Sequence, residues 1–356
     1  MAHISPLAIP IWDLQRCFNI VGILRWQQLA GQRLFIAGGT GFVGKWLLGT
    51  LIHANEVLDL GCQITVLSRN PKAFLRYWPL IGGQITWLAG DVCNFDIGSK
   101  QYDVIIHAAT DVARQIPCEE LFFSILEGTR RIVELARRGH ASRLLLLSSG
   151  AVYGQLPAGM EKVPESYSGA PNPLHPQSAY GEGKRVAEWL VAQAASAGDM
   201  VCRIARLFSA VGPHFPLDQH FAIGNFIRDA MANRIITING DGSPVRSYLY
   251  SADMAGWLWS ILLEEAPPSS IYNVGSDQIV SILGLAHLVS QSIGSTQSIE
   301  IKNACYGLGL KPIRTMAANH YVPDCRAICR DLVLPQPLGL DEAVRRTADW
   351  YRVRLA

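Results

Sequence analysis

From Arg33 onward the chain alternates short apolar runs with stretches of helical spacing. LFIA (34–37), ITVLS (64–68), ITWLA (85–89), DVIIHAA (103–109), RLLLLSS (143–149) and CRIARLF (202–208) are almost wholly apolar. Strands of this kind, interleaved with helices at 45–54, 119–138 and 178–197, predict a parallel sheet covered by helices on both faces. Ahead of them, Ile11, Leu14, Phe18, Val21, Leu24 and Leu29 recur at near-helical spacing. One amphipathic helix over 11–29 is therefore expected. It is poor in Lys and Arg, so packing on the domain or on a partner subunit is favoured over a membrane surface. After Gly212 the rhythm changes to a helix near 221–233, the strand IITING, the apolar stretch RSYLYSADMAGWLWSILLEEA and a last helix at 339–353. The predicted division is a helical extension (1–30), a parallel-sheet α/β domain (31–212) and a smaller mixed α/β lobe (213–356) with returns to the first sheet.

Composition narrows the function classes. Hydrophobic residues make up 49% of the 356 positions and charged ones 17%, a globular balance. The net charge of +2 comes without a basic tract, which argues against a nucleic-acid surface. The eight cysteines form no CxxC pair and read as reduced thiols; Cys325 and Cys329 lack a ligand cluster, so no metal is expected. No run reaches the roughly 18 to 20 apolar residues that span a bilayer. A cytoplasmic protein without membrane contact is expected.

Gly38, Gly41 and Gly44 form a GxxGxxG run directly after the first strand. The first glycine permits a tight turn, the second lets the backbone approach a pyrophosphate, and the third lets helix and strand pack closely. The helix N-terminus then faces the anion. This is the fingerprint of a Rossmann-type dinucleotide site, with Thr40, Phe42 and Val43 completing the turn. Asp91 and Val92 follow the third strand; the carboxylate is read as accepting from an adenine amino group or capping a loop. Ala108 and Ala109, small residues after the fourth strand, let a dinucleotide cross the sheet edge, and His107 beside them is a ligand neighbour or a packed strand-end residue. The second strand ends in Ser68-Arg69, and no acid stands between Asp59 and Asp91. A ribose-binding acid is thus missing, and Arg69 is placed to pair with a 2′-phosphate, the alternative being a solvent-facing side chain. NADP(H) is the preferred cofactor, with NAD(H) possible.

Ser149 closes the fifth strand, and Tyr180 and Lys184 stand four apart in YGEGK. That spacing puts both on one helix face. A lysine ammonium beside a tyrosine favours phenolate, making the tyrosine a usable proton carrier, while Ser149 bonds the same substrate oxygen.

With these motifs, and with RLFSAVGP (206–213), GDGSPVRSYLY (240–250) and YVPD (321–324), the chain resembles the extended short-chain dehydrogenase/reductases, in the NAD-dependent epimerase/dehydratase family acting on nucleotide sugars. The resemblance covers about residues 32–355. It implies a nucleotide-diphosphate-sugar pocket between the lobes, catalysis by Ser149, Tyr180 and Lys184, a ribose contact from Lys184, and a homodimer. It assigns Arg246 to the diphosphate, with a buried ion pair to Asp253 as the alternative, and puts His220 and Asn225 beside the sugar nucleotide. Val112, Ala151 and Ser209 are expected to line the same pocket. Two departures matter. The Asp–Glu pair that serves the family's 4,6-dehydratases is Gly150-Ala151 here, which moves no proton. An asparagine common in the family is Ser209. Reduction of a 4-keto-6-deoxy nucleotide sugar by NADPH is the leading expectation, and epimerisation with a recycled cofactor the second.

Overall fold

The computed structural model describes residues 7–110, 116–196, 198, 200–265, 270–302 and 320–355. In chain order the elements begin with helices α1 (Ile11–Val21) and α2 (Ile23–Gln27). The first βα units follow: β1 (Arg33–Ala37), α3 (Phe42–Leu58), β2 (Gln63–Ser68), α4 (Pro71–Tyr77), β3 (Thr86–Ala89) and β4 (Val104–His107). Then come α5 (Cys118–Arg138), β5 (Arg143–Ser149), α6 (Ala179–Ser196) and β6 (Val201–Leu207). The second half holds β7 (Ala210–Val211), α7 (Ala222–Met231), β8 (Ile236–Asn239), β9 (Val245–Arg246), β10 (Leu249–Tyr250), α8 (Ser251–Leu263) and β11 (Ile271–Val274). It closes with β12 (Val280–Ser281), α9 (Ile282–Ile293), β13 (Ile299–Lys302), β14 (His320–Tyr321), α10 (Arg326–Leu332) and α11 (Leu340–Leu355).

Seven parallel strands form the main sheet in the order β11-β6-β5-β4-β1-β2-β3. The chain runs outward from β1 to β2 and β3, then returns to β4 on the other side. The crevice at the C-terminal ends of β1 and β4 is thus the topological switch point, where such sheets bind ligands. Alternation along β1 shows the two covered faces. Leu34 and Ile36 join a core that includes residues of α3 and α8, and Phe35 and Ala37 a second core that includes residues of α5 and α6. β11 belongs to this sheet although it lies in the second half of the chain, and α8 is buried along its whole length. The remaining short strands make small sheets, β12-β9-β14, β13-β8 and β10-β7.

The expected single helix over 11–29 is two. Gly22, at φ 81°, breaks it after Val21. Leu14, Phe18 and Val21 are buried as the spacing requires, but Ile11 and Leu24 are exposed, at 58% and 81%. α1 lies on α8, and a side chain at Gly256 would meet Ile20 at 2.7 Å. Polar contacts fix the docking: Tyr250 donates to Asp13 at 2.8 Å, and Arg16 pairs with buried Asp253 at 2.7 Å. Burial pushes the Asp13 carboxyl up to about 6, against the hydrogen bond from Tyr250. Asp253 is therefore Arg16's partner, and the ion pair considered for Arg246 with Asp253 is not formed. Among the described residues no helix is long and apolar enough to cross a membrane, and no cluster of His, Cys, Asp or Glu could hold a metal ion.

Candidate active site

The turn after β1 is shaped by what glycine lacks. Gly38 sits at φ 88°, and a β-carbon there would lie 2.6 Å from the Ala108 carbonyl carbon. A β-carbon on Gly44 would collide with the Gly38 carbonyl oxygen and come within 2.6 Å of Gly39 Cα, so α3 rests directly on the turn. Gly41 is the exposed N-cap of α3, and among the described residues only the Gly38 carbonyl oxygen comes near its β-position, at 3.5 Å. The first-turn N–H groups of a helix have no intrahelical partner, and here they belong to Phe42, Val43 and their neighbours. The turn fits a dinucleotide pyrophosphate: an open glycine, a helix N-terminus, and Ala108 and Ala109 alongside.

The next strands bring the remaining cofactor candidates to the same edge. Leu67 is in register with Ala37, which places Ser68 and Arg69 beside the glycine turn. Ser68 is buried and accepts from the Asn70 N–H at 3.4 Å, whereas the Arg69 side chain is exposed. Gly90 N–H donates to the Ser68 carbonyl at 3.0 Å, so Asp91 follows close by. One Asp91 oxygen caps its own loop by accepting from Cys93 N–H at 2.9 Å. Val92 packs against Gly128 of α5. His107 is a strand-end packing residue: buried, 3.1 Å from the Thr129 hydroxyl, and pushed down to about 3 by burial and by Lys184.

Ser149 ends β5, and the N-terminal turn of α6 carries Tyr180 across from it. Ser149 Oγ accepts from Ala151 N–H at 3.1 Å and lies 3.3 Å from the Tyr321 hydroxyl. Burial raises the Tyr180 phenol, and the nearby Ser149 hydroxyl opposes that rise. The expected lowering by Lys184 is not found, for a geometric reason. The ammonium donates to Thr110 Oγ1 at 2.8 Å and to the Leu147 carbonyl at 2.7 Å, committing two of its three donors to the ends of β4 and β5. Lys184 is itself buried and pushed down to about 8, with Glu188 resisting the shift.

Behind this group lies a buried network that the motifs do not announce. Glu188, one turn after Lys184, accepts from Ser148 at 2.6 Å and from Arg206 at 2.9 and 2.7 Å. The Arg206 guanidinium lies over the Tyr153 ring at 4.7 Å, and Tyr153 donates to Asn273 at 2.7 Å. α6, β5, β6 and β11 are thereby tied together immediately below the reacting end. Thr110, Glu188, Arg206 and Tyr321 were not singled out by sequence. The spacing of four from Lys184 to Glu188 was a usable signal, as was the YVPD motif for Tyr321.

The substrate-side candidates divide. Arg246 lies in register with Tyr321, its guanidinium 5.9 Å from that ring's centroid, and donates to the Val245 carbonyl at 2.8 Å. It is therefore linked to Ser149 through Tyr321. Ala151 follows Ser149, and the Ser209 carbonyl accepts from Leu249 N–H at 3.0 Å. Gly150 packs under Phe208, where a β-carbon would stand 2.6 Å from the ring, so a carboxylate side chain does not fit there. Asn225 donates to the Gln219 carbonyl at 2.9 Å and accepts from Arg228 at 3.1 Å, which commits both ends of its amide inside the lobe. His220 is exposed with its ring against Phe221. Val112 lies outside the described residues.

Comparison with known proteins follows the same lines. A model of the "NAD dependent epimerase/dehydratase family" matches residues 34–275. UDP-glucuronic acid decarboxylase 1 of Xenopus tropicalis is 30% identical over 362 residues, covering 99% of this chain and 80% of its own. UDP-glucuronic acid decarboxylase 3 of Arabidopsis thaliana is 31% identical over 274 residues, covering 76% of each. A Thermotoga maritima UDP-glucose 4-epimerase solved with UDP-glucose superposes with a TM-score of 0.74 at 16% identity, over 91% of this chain and 100% of its own. A Bacillus cereus UDP-glucuronic acid 4-epimerase solved with NAD gives 0.71 at 17%, over 90% and 96%.

Proposed function

The chain belongs to the NAD-dependent epimerase/dehydratase family, and from that premise we propose that it transfers hydride at a single carbon of a nucleotide-diphosphate sugar, with Tyr180 moving the proton. One observation carries this reading. Ser149 ends β5, Tyr180 opens α6 and Lys184 reaches the Leu147 carbonyl of β5, so the three gather about the C-terminal end of that strand, while Gly150 and Ala151 carry no proton-transferring side chain. Oxidising an alcohol or reducing a ketone needs one acid–base group. Eliminating water, or protonating a carbon after loss of carbon dioxide, needs another.

The Gly38–Gly44 turn would hold a nicotinamide dinucleotide, which when bound would supply or accept the hydride. Tyr180 gives its proton to the oxygen formed on reduction, or takes it on oxidation. Ser149 donates a hydrogen bond to that oxygen. Lys184 keeps its charge at the ends of β4 and β5, one donor still uncommitted by the contacts to Thr110 and Leu147. Arg246 pairs with the diphosphate of the sugar.

The preferred direction in this reading is reduction of a 4-keto-6-deoxy nucleotide sugar by NADPH. Its support is Ser68-Arg69 at the end of β2, where an acid that would repel a 2′-phosphate is missing. The reading includes a homodimer, supported by Phe123 and Trp189, exposed at 54% and 60% on the paired helices α5 and α6; light scattering after size exclusion checks it. The enzymatic test follows 340 nm absorbance while UDP-glucose, UDP-glucuronic acid and 4-keto-6-deoxy nucleotide sugars are offered with NADPH or NAD. Stoichiometric NADPH consumption with a keto sugar is expected. Inversion at one carbon with the cofactor recycled would replace reduction by epimerisation. Release of carbon dioxide from UDP-glucuronic acid would overturn the single-proton argument.

A further inference from the structure

Three groups compete for one serine hydroxyl. Ala151 N–H lies 3.1 Å from Ser149 Oγ and the Tyr321 hydroxyl 3.3 Å from it, while the Tyr180 phenol comes near enough from α6 to be influenced by it. A hydroxyl has one proton to give and two lone pairs to fill. The amide can only donate, so it takes one lone pair. One lone pair and one proton remain for two tyrosines. When Tyr180 carries negative charge, or has just handed its proton to substrate, it can only accept. Ser149 must then keep its proton on that side, free for Tyr180 or for the reacting oxygen, and the other tyrosine must fill the last lone pair.

We propose that Tyr321 is a positioning residue that donates to Ser149 and thereby turns the serine proton away from itself, to the side where Tyr180 and the reacting oxygen lie. The inference builds on the role proposed above for Tyr180. Its geometry is held from three sides. The ring packs on Phe208 at 4.7 Å between centroids, Arg246 covers it at 5.9 Å, and β14 pairs with β9 so that Tyr321 stands opposite Arg246. The Leu207 carbonyl is a competing acceptor for the Tyr321 proton, at the longer distance of 3.4 Å. Burial raises the Tyr321 phenol well above its ordinary value, so the group stays protonated and available as a donor. The consequence is a division of labour between tyrosines: Tyr180 exchanges its proton with substrate, and Tyr321 never releases its own.

The test needs no substrate and so stands apart from the reaction assigned. The full-length protein is labelled with tyrosine carrying carbon-13 at Cζ, and the Tyr180 resonance is identified by its loss in Tyr180→Phe. Its position is then compared at one fixed neutral pH in the wild type, Tyr321→Phe, Ser149→Ala and the double variant, each checked for wild-type melting. Tyr321→Phe keeps the ring on Phe208 and removes only the hydroxyl. The expected result is a displaced Tyr180 resonance on the wild-type background and no further displacement on the Ser149→Ala background, because the effect passes through the serine. An unmoved resonance on the wild-type background would overturn the proposal. Equal displacement on both backgrounds would also overturn it, by showing that Tyr321 acts through packing.

Discussion

The glycine turn and the end of β5 are neighbours in space but are made in opposite ways. The turn is backbone: seven consecutive residues, Gly38 to Gly44, leave no room for a β-carbon at either end. The end of β5 is side chain: Ser149 meets Tyr321, 172 positions further on, and Lys184 reaches back 74 positions to Thr110. A backbone device writes its requirement into the sequence, since only glycine meets it. A convergence of side chains writes very little, because each member could serve elsewhere.

Four substitutions probe that contrast, taken from the largest effect to the smallest. Tyr180→Phe strikes the side-chain construction and should lower kcat by about 10²- to 10⁴-fold, the usual worth of a positioned proton carrier, while cofactor titration stays near wild type. Retaining half of the wild-type kcat would remove Tyr180 from that role. Arg246→Ala should raise KM for a diphosphate-linked sugar roughly ten- to a hundredfold, in keeping with a charge-assisted contact of about 1.5–3 kcal/mol. An unchanged KM in a folded variant would remove Arg246 from the diphosphate. Gly44→Ala strikes the backbone construction. Its methyl group has no space against Gly38 and Gly39, so a loss of about 1–3 kcal/mol of stability is expected together with weaker cofactor binding. Thermal melting and a cofactor titration report both, and a wild-type melt would show that the turn yields more easily than its geometry indicates. Arg69→Ala is the mildest. Arg69 is exposed, so its pairing with a 2′-phosphate is screened and worth about 1 kcal/mol or less, roughly a fivefold loss of NADP affinity with NAD unchanged. Equal binding of the two cofactors by the unaltered protein would end the NADP assignment.

The same contrast explains what could be read in advance. The parallel sheet was legible because its strands, such as LLLL in β5, are buried on both faces and carry no alternation. The glycine turn was legible because its residue types are forced. Tyr180 and Lys184 were legible as a pair because a helix brings positions four apart together. The direction of the Tyr180 shift was not, because it depends on where the Lys184 ammonium finds its acceptors, and the Leu147 carbonyl and Thr110 lie on other elements. The break at Gly22 escaped for a different reason. Apolar spacing continues across it to Leu24, which the structure exposes, so periodicity alone carried the helix too far.

The docking of α1 on α8 has a consequence for how the chain acquires its shape. Asp13 and Arg16 find Tyr250 and Asp253 across 237 positions, Arg16 also reaches the Gln336 carbonyl across 320, and Trp350 reaches the Ala8 carbonyl across 342. The entropy of closing such loops grows only slowly with length, yet distant contacts form late on the route to the native state. A helix made early in synthesis must therefore wait for surfaces made near the end. Phe18 finds Trp26 and His53 early, at 6.4 and 5.9 Å between ring centroids, but until α8 is made the face of α1 that will meet it is open to other chains, a recipe for association during folding. Changes in α1 should accordingly appear as lost yield and slower refolding, with the turnover of the molecules that do fold left intact.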